Sequence, residues 1–186
     1  MSEYPSRHSG FTLTELLATL AVSGVVMSMA LPSLSGLISD EQRTSSVNEL
    51  VNTLHLARSA AITRNQSVTV CASSDSLTCQ GKAWENGWIA FVDSDLDRRP
   101  DGPELLNVGT AASADITIRS AEFQPYLSYR ANGQIMVNRL DENSGAFSIC
   151  DARGADAARV IVILPAGLPR LSEKPVAGGR ANCPER

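Results

Sequence analysis

The densest chemistry-bearing span of the sequence is Asp93-Ser94-Asp95-Leu96-Asp97-Arg98-Arg99-Pro100-Asp101-Gly102-Pro103-Glu104. Its acidic residues fall at positions 1, 3, 5, 9 and 12 of twelve, the ligand spacing of a calcium-binding EF-hand loop. Two requirements of that loop fail. Arg98 replaces the glycine of the sharp turn, and Pro100 stands where an apolar strand residue belongs. The expected state is a solvated acidic turn. Calcium held by Asp93, Asp95, Asp97, Asp101 and Glu104 is the rival, and no other cofactor is expected.

Nucleophilic catalysis needs a histidine beside a serine or cysteine. The histidines are His8 and His55, and His55 falls in a helical pattern. No glycine-rich phosphate loop follows a strand, so no enzyme emerges. Four cysteines, Cys71, Cys79, Cys150 and Cys183, include no CxxC pair, which argues against zinc and for disulfides. Three pairings are open. Cys71–Cys79, closing a short Ser/Asp-rich loop, and Cys150–Cys183, tying down a Gly/Pro/Arg-rich tail, are favoured.

The elements that carry these residues differ sharply along the chain. Leu16 to Ser39 is a run of 24 uncharged residues, enough to cross a hydrocarbon core of about 30 Å as a helix. Its length, and Glu15 directly before it, favour a retained anchor over a cleaved secretory signal. From Asp40 to Asn65 the residues Val47, Leu50, Val51, Leu54 and Ala61 recur at helical spacing. Asp40, Glu41, Arg43, Glu49, Arg58 and Arg64 take the rest of that segment. One long helix is expected, bent at Pro32, which lacks an N–H. Beyond residue 65 the period alternates, predicting strands at 67–72, 87–93, 115–118, 127–130, 134–137, 146–150 and 159–164. Asn132-Gly133 predicts a two-residue hairpin turn. The class is α+β, with an antiparallel sheet packed on the C-terminal half of the helix.

With 186 residues, 43% hydrophobic and a net charge of −4, collagen, low-complexity disorder and a multi-span membrane protein are excluded. The acidic balance weighs against a dedicated nucleic-acid binder.

Ser9-Gly10-Phe11-Thr12-Leu13-Thr14-Glu15, followed by the apolar run and Pro32, resembles the type IV prepilin signature. The resemblance implies cleavage by a prepilin peptidase after Gly10, where no side chain blocks approach to the backbone, and N-methylation of Phe11. It implies that Glu15, costly at the edge of an apolar zone, neutralises the N-terminal amine of a neighbouring subunit during assembly. His55 is then the histidine left after processing. Residues 1–10 become a leader peptide, 11–39 a transmembrane and filament-core helix, 40–66 an amphipathic helix joining the head, and 67–186 a β-rich periplasmic head.

A second stretch, Leu56-Ala57-Arg58-Ser59-Ala60-Ala61-Ile62, with VTVC and Trp84-Glu85-Asn86-Gly87-Trp88-Ile89-Ala90-Phe91-Val92-Asp93, is similar to the GspH/FimT branch of pilins. Trp84, Trp88 and Phe91 read physically as core packing under the head. The family implies the type IV pilin fold, a single-pass inner-membrane location with a periplasmic head, and then a filament, in a Gram-negative bacterium. The implied partners are other major and minor pilins or pseudopilins, prepilin peptidase and the inner membrane. A minor pilin of a type IV pilus is the expected function, and a minor pseudopilin of a type II secretion system the alternative. Some competence pilins of this kind carry a GRxR-type motif that contacts DNA. Here Gly167-Leu168-Pro169-Arg170 lacks the first arginine, leaving Arg170, Lys174 and Arg180 as dispersed candidate contacts, and DNA is not the expected partner.

Overall fold

Thr12-Leu13-Thr14-Glu15 fits the capping-box pattern, in which a Thr oxygen satisfies a free backbone N–H of the first helical turn. The helix α1, Leu13–Arg64, begins immediately after Thr12. The Glu15 N–H donates to the Thr12 hydroxyl at 3.3 Å and to its carbonyl at 3.1 Å. At the far end Asn65 turns left-handed (φ 52°). Its N–H reaches the Ile62 carbonyl, and the Gln66 N–H reaches that of Ala61, which is the Schellman arrangement that ends helices.

The structure, a computed structural model, describes residues 11–81, 83–100, 104–136, 144–172 and 180–184, and within α1 describes residues 29–35 without their side chains. Two compact units divide the chain, Met1–Ile38 and Ser39–Arg186. In the first, every described side chain through Ser28 is exposed, including Leu16, Leu17, Leu20, Val25, Val26 and Met27. Among the described residues no helix is long and apolar enough to cross a membrane. The expected anchor at 16–39 contains the residues 29–35, whose side chains lie outside that description, as does the ring of Pro32.

In the second unit α1 buries Val47, Leu50, Leu54, Ala57 and Ala61, and Val51 packs against the same cluster. The covering layer is two antiparallel sheets, whereas the sequence pattern predicted one. The first is ordered β3-β2-β1-β5-β6, from β1 (Val68–Ala72), β2 (Trp88–Val92), β3 (Leu105–Gly109), β5 (Tyr126–Tyr129) and β6 (Ile135–Met136). The second is ordered β4-β7-β8-β9, from β4 (Thr117–Arg119), β7 (Gly145–Cys150), β8 (Arg159–Ile163) and β9 (Pro169–Ser172). Residues of both sheets join the α1 face in one core, with Phe147, Ile149, Ile161 and Ile163 supplied by the second.

β2 shows how the pleat divides its neighbours. Trp88, Ala90 and Val92 face the helix-side core. Ile89 and Phe91 face away and pack with Cys71, Tyr126 and Cys79 in a small second core. Trp84 and Trp88 thus lie in the expected position, while Phe91 packs on the opposite face of the sheet.

β3 and β9 escaped the sequence pattern. β3 is a half-exposed edge with burial that does not alternate, and its pairing with β2 carries a bulge at Ala90/Phe91. β9 opens on Pro169 at a sheet edge, where a missing N–H is tolerated. The Asn132-Gly133 hairpin joins β5 to β6, yet its loop has three residues rather than two, because Tyr129 pairs Ile135 and the Arg130 N–H bonds the Gln134 carbonyl. Gly133 supplies the left-handed residue (φ 78°) that such loops require.

Candidate functional site

The described part of the prepilin-like stretch, Phe11 to Glu15, leads into the first turn of α1, which begins at Leu13. Gly10, on one side of the expected cleavage bond, lies outside the described residues, and Phe11 is exposed. Glu15 is exposed in that turn, where the helix dipole favours a carboxylate. Its backbone role in capping is one that the reading of Glu15 as a charge partner missed, although the T-x-x-E spacing carried the signal.

Both cysteine pairs of the head are bonded. Cys71–Cys79 closes a loop of sequence separation 8 and Cys150–Cys183 one of separation 33. Asp75 organises the smaller loop. It accepts the backbone N–H groups of Leu77 and Thr78 and the hydroxyls of Ser73 and Thr78, and the Leu77 N–H above all holds its carboxyl far below the usual aspartate range. The larger bond ties the tail to the outer face of the second sheet, where the Asn182 N–H donates to the Ser148 hydroxyl at 3.0 Å.

In the acidic span, Asp93, Asp95 and Asp97 bring carboxylate oxygens within 4.8 Å of one another. Asp101 lies outside the described residues, and Glu104 does not join that group. Asp93 is buried, and both its oxygens already have donors, the Thr69 hydroxyl at 2.6 Å and the Arg98 N–H at 3.3 Å. The turn folds back over the outer face of the first sheet, and the Arg98 guanidinium stacks 4.3 Å from the Tyr126 ring centre. Asp93 and Arg98 thus hold the turn to the head, while Asp95 and Asp97 are exposed.

Arg170 is exposed on β9, Arg180 pairs with Asp156 at 2.8 Å, and Lys174 lies outside the described residues. His55 is exposed on α1.

Several of the α1 charges that lie off the apolar stripe grip the head. Glu49 accepts the Thr110 N–H and hydroxyl, and Arg58 donates to the carbonyls of Gly133 and Ala166. Thr53 takes the indole N–H of Trp88 at 3.0 Å and donates to Asn107 at 2.9 Å. Arg43 is 5% exposed. It donates to Asp151 at 3.2 Å, to Asp40 at 2.7 Å and to the Ala157 carbonyl. Arg153 bonds both oxygens of Asp151 at 3.1 Å and reaches Asp40 at 2.7 Å. The Arg153 bonds hold the carboxyls of Asp40 and Asp151 below the usual aspartate range. Only the Asp40/Arg43 spacing was visible in the sequence, since Asp151 lies 108 residues from Arg43.

Two family patterns match the chain: "Type II transport protein GspH" over residues 46–167, and "Prokaryotic N-terminal methylation motif" over residues 5–31. No curated protein matches. Two crystal structures of the type IV minor pilin FimU of Pseudomonas aeruginosa strain PAO1 are similar in fold. The form in space group P21 is 21% identical with a TM-score of 0.55, covering 78% of this chain and 96% of that chain. The P65 form is 20% identical with a TM-score of 0.53, covering 75% and 98%. A long helix followed by antiparallel sheets is the type IV pilin fold.

Proposed function

The chain belongs to the family described as type II transport protein GspH, and from that membership we propose that it is a minor pilin, a non-enzymatic subunit that takes part in type IV pilus assembly. What carries the reading is one chain that joins a methylation motif at 5–31 to a GspH head at 46–167 through a single helix, Leu13–Arg64. In this reading prepilin peptidase cuts after Gly10, Phe11 is methylated, and Leu16–Ser39 first anchors the subunit in the inner membrane of a Gram-negative cell. The periplasm is an oxidising compartment that suits both disulfides. Assembly then moves the exposed apolar side chains of Leu16 through Met27 from lipid to the helices of other pilins. The Glu15 carboxylate pairs with a neighbouring subunit's N-terminal amine.

The family's character as a type II transport protein favours a second reading, a minor pseudopilin of a type II secretion system. A deletion strain separates the two. Lost twitching with normal exoprotein release supports the pilus, and the reverse supports secretion. Mass spectrometry of the protein from cells is expected to find N-methyl-Phe11 as the first residue. Residues 1–10 still attached would overturn both.

A further inference from the structure

The grip of the head on α1 changes character along the helix. From Val47 to Ala61 it is apolar, through Val47, Leu50, Leu54, Ala57 and Ala61. From Ser39 to Ser46 the buried residues are Arg43 and Ser46, neither of them apolar. Ser46 turns its hydroxyl back to the Gln42 carbonyl of its own helix. From this segment Arg43 reaches Asp151 and the Ala157 carbonyl, and Asp40 reaches Arg153, all in the turn between β7 and β8. The Arg43 and Asp151 side chains are 6% and 2% exposed, against 50% for Asp40 and 42% for Arg153, so half of the cluster is shielded from water and half is not. The buried Arg43 Nε has no hydrogen-bond partner.

We propose that the Asp40–Arg43–Asp151–Arg153 cluster is a clasp that holds the first two turns of the head's helix, residues 39–46, against the turn between β7 and β8, and that its opening releases this segment while the rest of the head stays folded. Segments that open without global unfolding are those with few buried apolar contacts, which describes 39–46 and not 47–61. The clasp lies at the first residues of the second unit, directly after Ile38. It fixes how far toward the head any rearrangement of the preceding helix can run when a subunit passes from membrane to filament. That role rests on the reading as a filament subunit, whereas the local opening does not.

Amide hydrogen exchange on the full chain in detergent micelles tests it. Arg43→Gln removes the central donor. It is expected to raise exchange of the 39–46 peptide about ten- to a hundredfold, the loss of charged hydrogen bonds at a local opening, with the 50–61 peptide unchanged. Asp40→Asn, at a half-exposed position that does not threaten the fold, is expected to raise exchange of the same peptide several-fold. Replacing the buried pair by Arg43→Leu with Asp151→Leu puts an apolar contact in its place and is expected to restore protection. Unchanged exchange at 39–46 in both single variants would overturn the clasp. So would an equal rise at 39–46 and 50–61 in Asp40→Asn. A selective rise in a chain that proves to enter no filament keeps the clasp and removes its role in assembly.

Discussion

Substituting Gly109 by alanine tests how Trp88 is seated between α1 and the first sheet. Gly109 does not need the left-handed region, so alanine suits its backbone, and by chain entropy alone Gly109→Ala stabilises by about 0.4–1 kcal/mol. Geometry reverses that sign. A Cβ on Gly109 falls 2.1 Å from Trp88 Cε2 and 2.2 Å from its Nε1, and Trp88 is 1% exposed with no room to retreat. The indole must tilt, which costs about 1–3 kcal/mol in overpacking. Tilting also breaks the N–H bond to Thr53, which in turn holds Asn107, and a buried polar group left unpaired adds about 1–3 kcal/mol. The net expectation is a loss of about 2–5 kcal/mol, read by urea unfolding of the full chain in micelles followed by circular dichroism. Trp88→Val removes the ring that collides, so the double variant is expected to be more stable than the sum of the singles by at least about 1 kcal/mol. Gly109→Ala within about 0.5 kcal/mol of the parent, or strict additivity, would refute the seating.

Chain-entropy reasoning gives about 4 kcal/mol for the Cys150–Cys183 bond and about 2.5 for Cys71–Cys79, from separations of 33 and 8. Cys183→Ser is therefore expected to lower the unfolding free energy more than Cys79→Ser in the same urea assay. Asp40 and Asp151 have folded-state acidities stronger than in the unfolded chain. Their contribution is complete above about pH 4 and is lost as pH falls through the lower folded values, so acid unfolding of Asp40→Asn should show a shallower slope below pH 4 than the parent. Glu15→Leu and Glu15→Gln test the charge pairing. Both keep the backbone N–H that bonds Thr12 but not the charge, so equal loss of both variants from sheared filaments supports the amine pairing, and normal incorporation of Gln would end it. Isothermal calorimetry with millimolar calcium is expected to show no heat, because both Asp93 oxygens are engaged by Thr69 and Arg98.

Much of the architecture was legible because it rests on local periodicity. The α1 face of Val47, Leu50, Leu54 and Ala61 lies where its spacing put it, and seven strands lie at or within two residues of the predicted segments as far as those are described. The remainder depends on partners distant in sequence. Arg43 reads as one more charge on a polar face, and only the arrival of Asp151 and Ala157 makes burial tolerable. The split into two sheets is equally invisible locally, since β4 has the same alternating signature whether it extends the first sheet or starts the second. β3 and β9 are edges, where one face of contacts is missing and the pattern weakens with it. The prepilin-like residues at the N-terminus were legible because the methylation motif they match is a short pattern in sequence.

The order in which the chain visits its two sheets carries a consequence for how the head forms. The first sheet takes strands from residues 68–136 and the second from residues 117–172. β4 is laid down in the second sheet before the chain returns to the first for β5 and β6. Neither sheet is complete when the other begins, and a break between 117 and 136 interrupts both. Contacts of this kind span long loops, so closure is slow and comes late. During synthesis α1 emerges first, and the core that buries Leu50 and Leu54 is complete only when Ile161 and Ile163 have followed. The head is therefore expected to fold in one cooperative step after nearly the whole chain is made, with no stable half-domain along the way, and its newly made helix must be shielded until then.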